Sequence, residues 1–548
     1  MWEEGHLALE ADYQYNYHEF ASNHSTVQPN RTEGIELFWP PAEEHNIGRS
    51  PAELIILPRR RGSVLFNSYE YIFLFLPVSL LVYFLLNRWA SANLAKAWLV
   101  LGSLFFYSWW NIAYLPLILA SILVNYAVGS ALVKLPTRIL SPKTILVIGI
   151  SFNLLLLGYF KYTDFFLHNI NLALGTSLPL LHIILPLGIS FFTFTQIAYL
   201  VDAYRSQAKE YQLVNYALFV TFFPHLLAGP ILHHKEMMPQ FESDRNKRLN
   251  YKNLAQGLFL FVLGLFKKVI IADSLALAAT YGFDTAATLS LVEAWVTSLS
   301  YTLQLYFDFS GYTDMAIGSA LMFNIRLPIN FNSPYKSRSI QDFWRRWHIT
   351  LSRFLREYIY IPLGGNRRGE PNIYANIMIT FLLGGLWHGA GWTFVFWGFL
   401  HGAGLVAQRW WGKLNLRLHW LLAWFITFNF VNIAWVFFRA ENWGDATKVL
   451  AGMFGLSGVI LPASLVPRLG SLEQYGVQFA SLADRFPDLP QAAGLVGLFF
   501  LLAVLWRNSM EMTERFRPNW LNSLFIATLA VWAILNLNKV SEFIYFNF

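Results

Sequence analysis

The residues with most chemical consequence stand inside hydrocarbon-like surroundings. The stretch "ITFLLGGLWHGAGWTFVFWGFLHG", residues 379–402, carries His388 and His401 in a run apolar enough for a bilayer, and interrupts itself at Gly384, Gly385, Gly389 and Gly391. A polar group in such a medium costs several kcal/mol unless it is paired, so an imidazole there must find a partner, face a cavity, or do both. The glycines, with Trp387 beside them, let the backbone unwind and a substrate come close. They equally suit two helices crossing tightly, with the histidine bonded to a neighbouring carbonyl. His401 lies about 20 Å further along if the helix is continuous. It shares a site with His388 only if the chain folds back, and is read as structural.

Two further stretches hold polar groups in apolar company. "LQLYFDFSGYTDMAIG", residues 303–318, places Asp308, Ser310 and Asp314 in a span, where carboxylates must face a cavity or a partner. Six residues apart, Asp308 and Asp314 point in opposite directions on a regular helix, which argues against a paired-carboxylate site. In "SIQDFWRRWHITLSRFLREYIYIPLGG", residues 339–365, Phe343, Trp347, Leu351, Phe354 and Tyr358 recur at three and four, with Arg345, Arg346, Arg353 and Arg356 on other faces and His348 among them. This spacing predicts an amphipathic helix at the membrane interface, either an anchor on acidic lipid or a docking surface for an anionic donor. His225 sits in "FFPHLLAGP". The other histidines fall near segment ends or within the first 63 residues. There is no G-x-S-x-G, P-loop, H-E-x-x-H or H-x-x-x-x-D, and no metal site is expected.

The elements that must position these residues are membrane spans. Of 548 residues 55% are hydrophobic and 13% charged, where a soluble domain carries about 25% charge. The chain is therefore read as an all-α polytopic membrane protein. Its net charge of +7 reports topology and anionic lipid, and nucleic acid is not an expected partner. With no cysteine, disulfides, thiolate metal sites and a cysteine acyl-enzyme are excluded. Apolar stretches of spanning length lie near 69–87, 94–110, 112–133, 144–163, 254–272, 294–322, 419–438, 491–506 and 519–537. Residues 179–201 and 213–231, interrupted by Pro and Gly, are expected as broken or re-entrant helices.

The positive-inside rule orients the chain. Residues 323–371 hold nine basic against three acidic side chains and are expected on the cytoplasmic side, as are Arg507, Arg515 and Arg517. Residues 273–293, with three acidic and no basic side chains, are expected outside together with the connection 439–490. Residues 1–63 are polar, lack the apolar core of a signal peptide, and are expected to be a disordered leader or a misassigned start, with Val64 read from a GTG codon. The membrane domain is then 64–548.

"FFPHLLAGPI", "YFDFSGYTDMAIG", the 339–365 stretch, "GGLWHGAGWTFVFWGFLHG" and the terminal "FIYFNF" together resemble the membrane-bound O-acyltransferase (MBOAT) family, over about residue 64 to the C-terminus. The nearest branch holds the bacterial alginate O-acetylation and teichoic acid D-alanyl transfer proteins. The resemblance implies a ring of about a dozen spanning and re-entrant helices around a funnel or tunnel. His388 takes the position of the family's invariant histidine, expected as general base, and His348 that of a second recurrent polar residue. Asp308, Ser310, Asp314, Trp387, Gly385 and Gly389 are expected to line the tunnel, and Arg345, Arg346 and Arg353 to form the donor-side surface. His225 stands where relatives commonly carry glutamine.

The implied reaction moves an acetyl group from acetyl-CoA or an acyl carrier toward an exported, alginate-like polysaccharide, from a bacterial inner-membrane location. The expected partners are lipid, the polymer, and a periplasmic or extracellular acetyltransferase. No bound cofactor is expected. D-alanyl or other acyl transfer to teichoic acid, lipid or protein is the alternative. A secondary transporter is a remote one, since the break near His388 has no counterpart in an earlier half.

Overall fold

The computed structural model describes residues 65–538, apart from 135–139, 209, 211 and 482–484. The expected leader over 1–63 lies outside the described residues, as does the terminal "FIYFNF".

In lipid, backbone N–H and C=O groups have no water to bond and must satisfy one another within a segment, so an apolar chain of this composition folds as helices. The expected spans appear in order: α1 (Leu76–Trp89, entered through a π turn at Tyr71–Phe75), α2 (Ala92–Trp110), α3 (Leu115–Lys134) and α4 (Pro142–Leu157). α4 runs on through a π turn at Gly158–Tyr162 into α5 (Thr163–Leu174). Ser91 and Ser141 cap α2 and α4, each side chain accepting from an amide three residues on.

The two segments expected to be broken are broken. α6 (Ile189–Tyr204) starts only after Gly188, whose φ of 71° is left-handed. α7 (Leu213–Thr221) stops at Phe222 and gives way to one turn, α8 (Phe223–Leu226), with Pro224 inside it. α9 (His234–Glu242) follows.

The second half is organised by α10 (Tyr251–Phe266), continued through a π turn at Lys267–Ala272 into α11 (Asp273–Thr280), and by α12 (Leu291–Met322). At 32 residues and 1.5 Å each, α12 is about 48 Å long, more than the roughly 30 Å of hydrocarbon. Nearly all of it is buried. α10 reaches its backbone directly: a Cβ on Gly264 would lie 2.5 Å from the carbonyl of Gly311, and one on Gly257 2.6 Å from that of Gly318.

Then come α13 (Ile340–Trp344), α14 (Ile349–Leu355), α15 (Glu370–His388), α16 (Trp392–Lys413), α17 (Trp420–Arg439) and α18 (Trp443–Met453). The late connection holds two short parallel strands, β1 (Val459–Pro462) and β2 (Val477–Ala480), in register from Val459↔Val477 to Pro462↔Ala480. One turn, α19 (Val466–Leu469), lies between them. α20 (Leu489–Leu505), α21 (Ser509–Glu514) and α22 (Trp520–Leu535) end the described chain.

Among the described residues five helices are long and apolar enough to cross a membrane: 71–89, 112–134, 142–174, 251–285 and 420–439. The chain is an all-α, multi-pass membrane protein.

One expected element is corrected. The single amphipathic helix over 340–360 is two helices and a π turn (Arg356–Tyr360), because His348 adopts φ 42°, ψ 55° and turns the chain before α14. Its apolar side chains face inward and not onto a lipid surface: Phe343, Trp347, Leu351 and Phe354 are all buried. Before this turn the chain has doubled back along α12. Tyr335 Oη donates to the Thr302 carbonyl at 2.6 Å, and Phe309 meets the His348 ring edge-on at 4.9 Å. The basic segment is thereby carried into the depth of the helical assembly.

A candidate active site at the tip of a helical hairpin

His388 is the last residue of α15. The helix ends there because Gly389 is extended (φ −155°) while its amide still caps the Gly385 carbonyl at 3.3 Å. Three residues later α16 starts back, antiparallel, so the helix does break where the glycines cluster. A Cβ on Gly385 would sit 2.3 Å from the Phe394 carbonyl, one on Gly398 2.3 Å from the Phe381 carbonyl, and one on Gly389 2.2 Å from the Phe394 ring. The close faces of Gly385 and Gly389 are thus taken up by α16. They permit a tight crossing, which is a different use from the expected lining of a passage.

The hairpin tip holds the imidazole in an aromatic enclosure. His388 is 2% exposed, with ring centroids at 4.9 Å from Trp387, 5.1 Å from Trp397 and 5.1 Å from Phe438 of α17. Trp387 in turn stacks on Phe194 of α6 at 5.0 Å. Another neighbour is polar: the His348 ring lies 6.5 Å from that of His388, centroid to centroid. Two histidines forty residues apart in sequence are brought together.

The sequence around His348 builds its position. A left-handed conformation is one that His and Asn enter more readily than most side chains. The turn is pinned by Asn330, whose carbonyl accepts from Ile349 N (3.0 Å) and whose Oδ1 accepts from Thr350 Oγ1 (2.7 Å) and Thr350 N (3.2 Å). His348 Nδ1 lies 3.4 Å from the same Oδ1. Since that oxygen only accepts, Nδ1 carries the proton and Nε2 keeps its lone pair. Nε2 is buried and has no hydrogen-bond partner among the described residues.

The other candidates fall in different places. His401 is brought near by the fold-back: Trp397 touches both its ring, at 4.9 Å, and that of His388. His401 Nδ1 accepts from Trp344 Nε1 at 3.2 Å, which fits its reading as structural. Asp308 pairs with Lys268 at 2.7 Å, and Asp314 with Lys267 at 2.7 Å, both lysines on the π turn after α10. Of the two outcomes open to a carboxylate in a span, each takes the partner. Ser310 is buried between them without a hydrogen-bond partner for its Oγ among the described residues.

On the basic segment, Arg353 forms a two-point pair with Glu236 (2.7 and 3.0 Å) and Arg346 pairs with Asp342 (2.9 Å), while Arg345 is exposed. His225 is buried in α8, with Nε2 unpartnered among the described residues.

Sequence reasoning missed Asn330, Lys161 and Tyr162. Lys161 Nζ donates to the carbonyls of Trp387 (2.5 Å) and His388 (3.2 Å), and Tyr162 Oη to that of Leu386 (2.8 Å). The signal was available, since a lysine at the end of the apolar stretch 144–163 meets the criterion that singled out His388.

Two buried imidazoles thus meet at a hairpin tip inside a multi-pass helical protein, and residues 70–440 of that protein match the MBOAT, membrane-bound O-acyltransferase, family. The chain belongs to that family and is an O-acyltransferase. It is 49% identical over 528 residues (88% of this chain, 98% of the relative) to the peptidoglycan O-acetyltransferase of Helicobacter pylori. It is 38% identical over 508 residues (88% of this chain, 100% of the relative) to the probable alginate O-acetylase of Pseudomonas putida. Similarity to the teichoic acid D-alanyltransferase of Bacillus subtilis is lower, 28% over 46% of this chain and 69% of the relative.

Proposed function

We propose that this enzyme passes an acetyl group from a cytoplasmic thioester, acetyl-CoA or an acyl carrier, toward a hydroxyl of an exported envelope glycan, with His388 as the general base. The observation that carries the reading is the hairpin tip: a buried imidazole beside a second one, enclosed by aromatic rings, in a chain of this family. The near-full-length identity to a peptidoglycan O-acetyltransferase favours peptidoglycan as the polymer. An alginate-like polysaccharide, the acceptor expected from the motifs, is the second reading and is supported by the 38% relative.

In the reaction the acceptor oxygen attacks the thioester carbonyl carbon while His388 takes the hydroxyl proton. The C–S bond then breaks and the leaving thiolate recovers the proton. A positioned base of this kind contributes about 10²–10⁴-fold, and the aromatic wall keeps out the water that would hydrolyse the thioester. His348 Nε2, a buried acceptor, takes a hydrogen bond from another donor group of the acceptor molecule and so leaves the attacking hydroxyl's proton to His388.

The basic segment 323–371 meets the donor at the cytoplasmic side, and Arg345 is one of its several exposed cations. A separate exported acetyltransferase completes delivery to the polymer. In cells carrying only the variant, His388→Ala should abolish base-releasable acetate on isolated peptidoglycan with membrane level unchanged. Wild-type acetate there sinks the catalytic role.

A further inference from the structure

We infer that Lys161 and Tyr162 are positioning residues for the reaction, holding the carbonyl end of α15 so that the His388 ring keeps its reacting geometry. This rests on His388 being the base. The last four carbonyls of a helix have no partner within it, and away from water each orphan costs several kcal/mol. At α15 all four are accounted for. The Gly385 carbonyl accepts from the Gly389 amide, that of Leu386 from Tyr162 Oη, and those of Trp387 and His388 from Lys161 Nζ.

Three of the four thus depend on two consecutive side chains of a π turn, Gly158–Tyr162. Such turns are rare and are frequently found at functional sites. The lysine is itself fixed, because its ammonium lies within 3.4 Å of Ser190 Oγ at the start of α6 and 5.8 Å from the centre of the Trp387 ring. A cation also suits the negative end of the α15 dipole.

The consequence is specific to this hairpin. Beyond His388 the backbone is extended at Gly389 and passes through Ala390 into the start of α16, so no further turn of α15 restrains the histidine. From the C-terminal side its carbonyl is held by Lys161 Nζ. Losing that donor frees the end of α15 and the imidazole it carries, while the α15–α16 glycine crossing at Gly385 and Gly398, a turn away, stays intact.

The test compares Lys161→Met, Lys161→Arg, Tyr162→Phe and His388→Ala as sole chromosomal copies. Base-releasable acetate on peptidoglycan is scored beside membrane level and thermal unfolding in detergent. Lys161→Met is expected to lose about 10²-fold in acetylation rate, the penalty of roughly 1 Å of misplacement, at wild-type membrane level and with a lowered unfolding temperature, since two carbonyls lose their donor. Lys161→Arg, which keeps charge and donors, should recover at least tenfold of that loss, and Tyr162→Phe should lose about tenfold.

Wild-type acetate in Lys161→Met, with His388→Ala inactive, overturns the inference alone. Wild-type acetate in His388→Ala overturns the assignment of the base as well. If Lys161→Met fails to accumulate, Tyr162→Phe decides, and full activity there at normal level overturns the inference.

Discussion

At the scale of single residues, His348 has two separable properties, a left-handed backbone and an unpartnered ring nitrogen. Asparagine tolerates the first and lacks the second. His348→Asn should therefore fold and unfold like wild type yet acetylate at least tenfold more slowly, whereas His348→Ala should add about 1 kcal/mol of backbone strain to the same loss. Acetate release and detergent unfolding measured together separate the two effects. Full activity in His348→Asn would reduce the residue to a shaper of the turn. His388 stood out in the sequence because a polar side chain among apolar ones has few explanations, whereas His348, in an arginine-rich stretch, stood out only through the family resemblance. Lys161 was visible as a polar group in a span but its role was not, and Asn330 gave no signal, because each acts on the backbone of an element far along the chain and no local pattern records which carbonyl a side chain will reach.

At the scale of elements, hydrophobic length predicted the helices well. The stretches near 112–133, 294–322 and 419–438 became 112–134, 291–322 and 420–439, since in lipid an apolar run has little choice but to satisfy its backbone as a helix. The break inside 340–360 was hidden because the three-and-four spacing of Phe343, Trp347, Leu351 and Phe354 continues straight across it. Glycine was legible both as a break and as a possible tight crossing, but not which position serves which. At Gly385 the atoms that a methyl would meet are backbone, the Phe394 carbonyl at 2.3 Å and Gly398 at 3.2 Å, whereas at Gly384 the nearest is the flexible Cδ1 of Leu355 at 3.3 Å. Gly385→Ala should accordingly destabilise by about 3 kcal/mol and lower the unfolding temperature in detergent, with activity falling in step. Gly384→Ala should leave both near wild type. Equal unfolding temperatures for the two variants would mean that the crossing is looser than its geometry.

At the scale of the whole membrane domain, the connections sort into two sets at the two ends of α12. Near Leu291, Arg439 pairs with Asp284, Arg485 with Glu293, and Leu291 N donates to the Gly458 carbonyl, so the acidic 273–293 loop and the 439–490 connection share one end. On the other side Lys336 Nζ donates to the Trp506 carbonyl and Asn508 to Asn332, so the basic segment and the 506–517 stretch share theirs. The same grouping followed from charge alone, because Lys and Arg resist translocation whatever the helices between them do. Charge could not foresee that the basic segment dips along α12 and delivers His348 to a hairpin tip. The sidedness has a direct test, since the chain has no cysteine and an introduced thiol is the only one present. Arg367 and Tyr475 are exposed members of the two sets, Tyr475 to 77%, and neither lies at the hairpin tip. With a membrane-impermeant maleimide on intact spheroplasts, Tyr475→Cys should label at once and Arg367→Cys only after the membrane is opened, with acetylation in both variants near wild type. Labelling of Arg367→Cys from outside would put the basic segment on the wrong side for a cytoplasmic thioester, and the donor route argued for this enzyme would then have to run the other way.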